Sequence, residues 1–569
     1  MMRRQTAMIL FALLLAVLSV LLVWPIWHVV RGGIFVDGRF TAVYLLGVFR
    51  NPIYAEGLLN SLRIAIGTTA LTLLLAVPLA WLSHRYVFAG KNVLAGLLLV
   101  PMILPPFVGA IGFQQMLGQY GALNALLGIG PVDWLGRGRY FGVVILQALS
   151  LYPIMYLNAA AALANVDPAM DEAAANMGCF GWRKFRRITL PLIMPGLFAG
   201  GAIIFIWSFT ELGTPLIMNY TRCAPVQVFD ALKEVGSNPF PYALVLVMLT
   251  CSVLLYAGVK LTFGRRAYAM QSRAGTAFSA QPLKGLSALA VGLPFLIVIG
   301  LALLPHMAVV LTSFSPPGSW YQSVLPERFA LVNYVAALGH EMTLGSIRNS
   351  LVYASAAVVA NLVLGLAIAW VVVRSSLRFR GVLDALAMIP LAVPGLVMAF
   401  GYLAISSHLS HLPWVKSSDF WTALFDVRVN PAFFLISAYA VRRLPYMVRS
   451  AVAGLQQTST TLEEAGASMG APPATVIRRI TLPLIMANLM AGILLVFAFS
   501  MLEVSDSLML AQQADAYPIT KTIYELFQLI GTGQYVAAAL GVWAMVFLAV
   551  TLVGCSLFLG RKLGAIFRV

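Results

Sequence analysis

The chain has 569 residues, of which 60% are hydrophobic and only 10% are charged. Soluble domains carry about 25% charged residues, so this composition argues against a soluble protein and favours one that folds in a lipid bilayer. The net charge of +17 would also suit a nucleic-acid-binding protein, but the basic residues lie mainly in loops between apolar segments, which is typical of membrane proteins.

Twelve apolar segments are long enough to cross the hydrocarbon region as helices, which takes about 20 residues. The predicted spans are residues 6–30, 61–83, 93–117, 141–163, 191–217, 242–263, 286–312, 350–373, 383–406, 430–453, 484–510 and 538–560. The first run follows Arg3 and Arg4, but it is too long for the apolar part of a signal peptide and has no A-x-A cleavage site. We therefore expect it to be the first span.

Basic residues predict the orientation. With the N terminus inside, the inner segments carry most of the lysines and arginines and few of the acids, and the segment from Lys260 to Lys284 has five basic residues and no acid. By the positive-inside rule, both termini should lie in the cytoplasm of a bacterial inner membrane.

An internal repeat divides the chain. The nine residues from Arg186 to Met194 recur unchanged from Arg478 to Met486, an offset of 292, and Asn60-Ser61-Leu62 recurs at an offset of 289. Each copy has an even number of spans, so the copies should be related by a pseudo-twofold axis along the membrane normal. The predicted fold is an all-α integral membrane protein of two tandem six-helix halves, residues 1–263 and 286–569, joined by a cytoplasmic linker, residues 264–285.

The loops at 167–191 and 459–483 are the best-matched part of the repeat. Asp167 and Pro168 suit the start of a short helix, and a capping box begins at Thr461. Both short helices should end at a glycine with positive φ, Gly178 or Gly470. A rigid helix–turn–helix in each half suggests a docking surface, although the arginines alone could serve only to set topology.

These loops resemble the EAA loop of binding-protein-dependent ABC importer permeases. The first loop has Glu172-Ala173-Ala174, then Gly178 and Ile188-Thr189-Leu190-Pro191; the second has Glu464-Ala465, then Gly466 in place of the second alanine, Gly470 and Ile480-Thr481-Leu482-Pro483. The resemblance implies that Glu172, Ala173, Ala174, Gly178, Glu464, Ala465 and Gly470 belong to helices that couple to an ATPase subunit. The membrane-entry motif of each loop is then Arg187, Leu190 and Pro191, or Arg479, Leu482 and Pro483.

The partners follow from the resemblance and from one missing motif. No GxxxxGK[ST] phosphate loop occurs, so the chain should be no enzyme and need no cofactor of its own. ATP and magnesium should be bound by two copies of a separate ATPase subunit, and a periplasmic binding protein should deliver the solute. The remaining partner is the lipid bilayer; nucleic acid is not expected.

Charged residues within the spans are functional candidates. Glu211 and its equivalent Glu503 should lie near the outer ends of the fifth helices. They form either an acidic mouth that receives a cation or lines a gate, or carboxylates that cap a neighbouring helix or break the fifth helix. Arg442 and Arg443 lie late in the tenth span, and we interpret them as residues of a helix end that emerges into the inner headgroups.

His408 and His411 lack a third ligand, so no metal site is predicted. Four prolines, Pro101, Pro105, Pro390 and Pro394, should kink the third span of each half.

The fused layout is similar to that of ferric-iron importer permeases, so ferric iron is the first choice of substrate. Thiamine, 2-aminoethylphosphonate and polyamines remain alternatives. A secondary transporter driven by an ion gradient is a rival class, but it would need carboxylates at the midplane of the membrane. A membrane scaffold without transport activity is disfavoured by the paired docking loops.

Overall fold

The computed structural model describes residues 4–36, 38–102, 105–235, 237–267 and 280–559. Nearly all of the regular structure in them is helical, as predicted. The strands form only two pairs in these ranges: Phe35–Val36 with Arg39–Phe40, and Tyr86–Val87 with Gln281–Pro282. The second pair holds the described end of the predicted linker, of which residues 268–279 lie outside the described ranges.

Nine helices in the described ranges are long and apolar enough to cross a membrane, and two helix pairs bent by 94° and 100° take the places of the third and ninth predicted spans. The tenth, Ala432–Gln457, is 26 residues long but is less apolar because it contains arginines. The first half comprises Gln5–Ile34, Pro52–Arg85, Lys91–Met102 with Pro106–Leu127, Tyr140–Ala164, Gly181–Phe209 and Phe240–Ala267. The second comprises Leu286–Phe314, Glu341–Arg374, Arg380–Leu391 with Gly395–Leu409, Ala432–Gln457, Pro473–Met501 and Gly533–Leu559.

Shorter helices join these spans. They are Val43–Arg50, Pro168–Asn176, Gly213–Ile217, Ala224–Asp230, Val332–Gly339, Pro413–Lys416, Asp419–Phe425, Thr460–Ser468, Ser505–Leu510 and Ile519–Phe527.

The bends in the third and ninth spans confirm the predicted proline kinks. Pro105 and Pro394 have extended backbones directly before the helices that start at Pro106 and Gly395. A proline lacks the N–H that would continue a helix, and its ring clashes with the preceding turn. The two spans are therefore broken at matching positions.

The fifth and eleventh spans end earlier than predicted. Their helices stop at Phe209 and Met501, and the short helices Gly213–Ile217 and Ser505–Leu510 follow after a break. Both short helices are buried by the rest of the protein, and both end in apolar residues, so apolar sequence continues past the break. Apolar length alone could not show where the long helices end.

The two halves interlock through their first spans. A Cβ atom on Gly401 would lie 2.8 Å from the carbonyl oxygen of Pro25, and one on Gly112 would lie 2.5 Å from that of Pro305. The backbone of each first span thus lies directly against the third span of the other half, at an approach that only glycine permits. This arrangement places the broken third spans and the ends of the fifth spans around one central region.

Candidate functional site

The loop at residues 167–191, named the first docking loop after its predicted role, contains the expected short helix, Pro168–Asn176. Asp167 Oδ1 accepts a hydrogen bond from Ala169 N at 2.9 Å, so it caps the helix start. Gly178 has φ of 71°, as predicted from its place after the helix. Ala173 is exposed and Ala174 is buried, while the side chain of Glu172 lies outside the described residues.

The second docking loop, residues 459–483, has the same shape as the first. Its helix is Thr460–Ser468, and Gly470 has φ of 81°. The cap is Ser459, whose hydroxyl accepts from Thr461 N at 3.2 Å, so the prediction of a capping box that begins at Thr461 is wrong. Glu464 and Ala465 are exposed, which leaves them available to a partner.

Gly466, which departs from the family pattern, has a steric explanation. A Cβ atom there would lie 2.6 Å from Ile480 Cδ1. Gly466 is buried, as is its equivalent Ala174. The glycine therefore makes room for the isoleucine side chain in the turn between the two helices of the loop.

Arg374 ties the second docking helix to the membrane-spanning part. Its Nη2 lies 3.1 Å from Glu463 Oε1, with side-chain exposures of 9% and 13%. Glu463 Oε1 also accepts from Thr481 Oγ1 at 3.3 Å. Because water is largely excluded, this ion pair is less screened than one on the surface. The docking helix is thus bonded to the second and fifth helices of its half.

The repeated membrane-entry motif has the same backbone in both halves. A π-helical turn covers Phe185–Thr189 and Ile477–Thr481, and Leu190 and Leu482 donate to the carbonyl five residues earlier. The prolines that follow, Pro191 and Pro483, cannot donate to the carbonyl four residues earlier, which a wider turn accommodates. The paired arginines, including Arg187 and Arg479, lie within these turns.

A central cavity of about 160 Å³ lies between the halves. It is bounded by the proline breaks of the third spans, the middle of the fourth spans and the ends of the fifth spans. Its polar lining consists of Gln147, Ser150, Thr210, Glu211 and Thr214 from the first half and Arg442, Arg443, Glu503 and Ser505 from the second. The cavity therefore brings the two glutamates together.

Glu503 is held by two arginines. Its Oε1 lies 2.5 Å from Arg442 Nη1, and its Oε2 accepts from Arg443 Nη2. Arg442 Nη1 is also 3.6 Å from Asp506 Oδ2, and Glu503 is 3% exposed. The interpretation of both arginines as headgroup contacts is therefore wrong: they lie in the middle of helix Ala432–Gln457 because buried carboxylates neutralise them.

Glu211 has a different environment. Its Oε1 accepts from Thr214 N at 3.3 Å and from Thr214 Oγ1 at 3.5 Å, which caps the short helix Gly213–Ile217. Within the described residues it forms no ion pair. The helix-capping interpretation of this residue fits its contacts, and the residue also lines the cavity.

The repeat explains this difference. At the offset of 292, Arg442 and Arg443 correspond to Ser150 and Leu151, and Asp506 corresponds to Thr214. The first half thus lacks both cations and the second acid. Three carboxylates and two guanidinium groups give the region a formal charge of 2 − 3 = −1.

Comparisons with known proteins agree with this architecture. Residues 73–266 and 361–560 each match the family described as the binding-protein-dependent transport system inner membrane component, together more than half of the chain. The chain belongs to this family. One match in each half also confirms that the internal repeat is a duplication of the whole family unit.

Relatives of this permease include both fused and single-unit proteins. The ferric transport system permease protein FbpB of Actinobacillus pleuropneumoniae is 26% identical over 480 residues, 81% of this chain and 64% of that protein. The putative ferric transport system permease protein FbpB 1 of Haemophilus influenzae is 26% identical over 483 residues, 82% of this chain and 70% of that protein. The molybdenum transport system permease protein ModB of Haemophilus influenzae is 29% identical over 202 residues, 34% of this chain and 86% of that protein.

The repeated Asn-Ser pair of the permease has a structural role that the sequence did not reveal. Ser61 Oγ accepts from Ala224 N at 2.9 Å, and Ser350 Oγ accepts from Ile519 N at 2.7 Å. Asn60 bonds to the carbonyl of Arg222. These bonds fix the start of the helix that follows each short buried helix. The exact recurrence of Asn60-Ser61-Leu62 in the second half was the signal in the sequence that could have indicated this role.

A second polar pocket of about 330 Å³ is lined by His28, Arg31, His408 and His411. The rings of His28 and His408 have centroids 5.2 Å apart. No group of three metal-binding side chains with suitable geometry occurs in the described part of the chain.

Proposed function

We propose that this permease is the membrane-spanning subunit of an ATP-driven importer, and that its substrate is ferric iron. The observation that carries the first part is the pair of docking helices, each fixed by a cap and a positive-φ glycine, on one chain with a cavity between its halves. Two ATPase copies would each engage one loop, and a binding protein would deliver the solute to the opposite face.

Glu172, Glu464 and the exposed alanines Ala173 and Ala465 would make the ATPase contacts. ATP and magnesium would be bound by the ATPase subunits. Closure of the ATPase pair would move both docking helices, and the Arg374–Glu463 pair would transmit that movement to the helices around the cavity.

Two observations support iron over the other solutes. The FbpB relatives match across both halves, whereas the ModB relative covers a third of the chain. Glu211 lines the cavity and forms no ion pair among the described residues, which suits a cation better than an oxyanion.

The test is reconstitution of the permease in proteoliposomes with its ATPase and binding protein. We expect ATP-dependent uptake of radioactive iron and no uptake of thiamine, 2-aminoethylphosphonate or spermidine. Uptake that persists without ATP but needs an ion gradient would instead establish a secondary transporter. Uptake of another solute in place of iron would reject the substrate while keeping the transporter class.

A further inference from the structure

The two glutamates of the central cavity are equivalent by the repeat but not by environment. Both oxygens of Glu503 bind arginines, and its backbone carbonyl accepts from Ser507 Oγ at 2.5 Å and from Thr520 Oγ1 at 2.7 Å. A residue with so many fixed contacts cannot accept a passing ion without breaking them.

Glu211 retains the capacity to bind a ligand. Thr214 is the only side chain among the described residues that donates to it, and both of its contacts with Glu211 are long, at 3.3 and 3.5 Å. A carboxylate without an ion pair in a region of low dielectric attracts a cation strongly.

Gln147 supplies a second, independent indication of a ligand. It is 2% exposed and lines the cavity. Its Oε1 accepts from Ser208 Oγ and, at 3.4 Å, from Thr68 Oγ1, while its Nε2 has no partner among the described residues. A buried donor without a partner costs free energy unless a ligand or water fills its site.

We infer that Glu211 is the cation-binding residue of the translocation cavity, and that Gln147 donates to a water or hydroxide bound to that cation. The substrate class is a hard, partly hydrated metal cation, because such ions prefer oxygen ligands. Glu503 instead holds the two arginines in place. This inference rests on the proposed iron transport.

The weakness of the site suits transport. One carboxylate and one amide cannot hold an ion tightly, and the described residues contain no group of three metal-binding side chains. A transit site must bind well enough to admit the ion and weakly enough to release it. An oxyanion would need the arginines, whose guanidinium groups are engaged by Glu503 and Asp506.

The first test is uptake by the reconstituted importer, driven by ATP and supplied with iron-loaded binding protein. We expect Glu211→Gln to lower uptake at least tenfold with normal folded yield and normal stimulation of the ATPase, and Glu211→Asp to retain most uptake. Glu503→Gln should instead lower the folded yield. Glu56→Gln is the matched control, because Glu56 is 49% exposed and lies on the surface.

The second test measures binding without transport. Trp207 lines the same cavity, so terbium(III) bound there should show luminescence excited through tryptophan. We expect this signal in the purified full-length permease, and its loss in both Glu211→Gln and Trp207→Phe but not in Glu56→Gln.

Normal uptake by Glu211→Gln in an importer whose wild type carries iron would overturn the inference alone. Equal loss of uptake by Glu211→Gln and Glu503→Gln, both at normal yield, would replace it with a symmetric acidic site. If the wild type does not carry iron, the proposed substrate fails, and the inference fails with it.

Discussion

Phe229 and Tyr524, which occupy equivalent positions in the two halves, touch each other. Their ring centroids are 6.0 Å apart and their planes are at 88°. The equivalence follows from Ala224 and Ile519, whose N–H groups bond to the matching serines, an offset of 519 − 224 = 295. Two equivalent residues in contact must lie close to the pseudo-twofold axis.

This contact provides a test of movement between the halves. If opening of the cavity separates the halves at the axis, a link between residues 229 and 524 should block transport. We expect Phe229→Cys with Tyr524→Cys, joined by a short, cleavable thiol cross-linker, to lose uptake and to recover it on reduction. The native cysteines, Cys179, Cys223, Cys251 and Cys555, would first be replaced.

The control is each single cysteine variant with the same reagent, which should keep its uptake. Full uptake by the cross-linked double variant would show that the halves do not separate at this pair.

The amino-acid sequence was sufficient to predict the features that the repeat encodes. The two halves share short identical strings, and the residues of the docking loops and the prolines of the broken spans recur at matching spacing, so their equivalence can be recognised by comparing the two halves of the sequence. The positive φ of Gly178 and Gly470 was also predictable, because a helix that ends at glycine follows a local rule.

The centre of the molecule was less predictable because its contacts join distant residues. Arg442 is paired with Glu503, 61 positions away, and only tertiary packing brings them together. The end of the fifth helix at Phe209 was hidden because the next short helix is buried and contains no charged residue. The asymmetry between Glu211 and Glu503 follows from residues on another helix, which the matched glutamates could not reveal.

Valine at Gly178 or Gly470 should uncouple the permease from its ATPase. Both glycines have left-handed φ, which costs a β-branched residue roughly 1–3 kcal/mol. We expect normal insertion, weaker ATPase association and slower uptake. The assay is co-purification of the ATPase together with iron uptake.

Gly381→Val is the matched control, since this exposed glycine has no positive φ and no atom within 4 Å of an added Cβ. Asparagine at either loop glycine, which tolerates positive φ, should restore much of the coupling. Wild-type coupling in both valine variants would remove the argument for a rigid docking helix.

Alanine at Gly466 should disturb the second docking loop because its Cβ would lie 2.6 Å from Ile480 Cδ1. Overpacking of this kind costs about 1–3 kcal/mol. Ile480→Val removes the Cδ1 atom, so the double variant should be more stable than Gly466→Ala alone. Thermal unfolding of the three variants measures this, and additive effects would show that the two residues do not interact.

Alanine at Gly395 should displace Arg442. A Cβ atom there would overlap Arg442 Nη1, the atom that binds Glu503. We expect lower thermal stability and slower uptake. Gly300→Ala serves as the control, because no atom lies within 4 Å of its added Cβ. Unchanged stability of Gly395→Ala would mean that Arg442 can move away without loss.

Removal of the charge on Glu503 should destabilise the fold through the arginines that it leaves behind. Loss of one partner from a buried ion pair costs about 3–5 kcal/mol, because the remaining charge stays buried without compensation. Arg443 is 7% exposed and depends on Glu503, whereas Arg442 also has Asp506 nearby. We therefore expect Arg443→Gln to rescue part of the stability lost in Glu503→Gln, and Arg442→Gln to rescue less. A double-mutant cycle on thermal unfolding measures both couplings.

The control is the exposed pair of Arg222 and Glu56, 3.4 Å apart, which should show a coupling of only about 0–1 kcal/mol. Equal couplings in the buried and exposed pairs would show that Glu503 does not hold the arginines, and would return it to the candidates for cation binding.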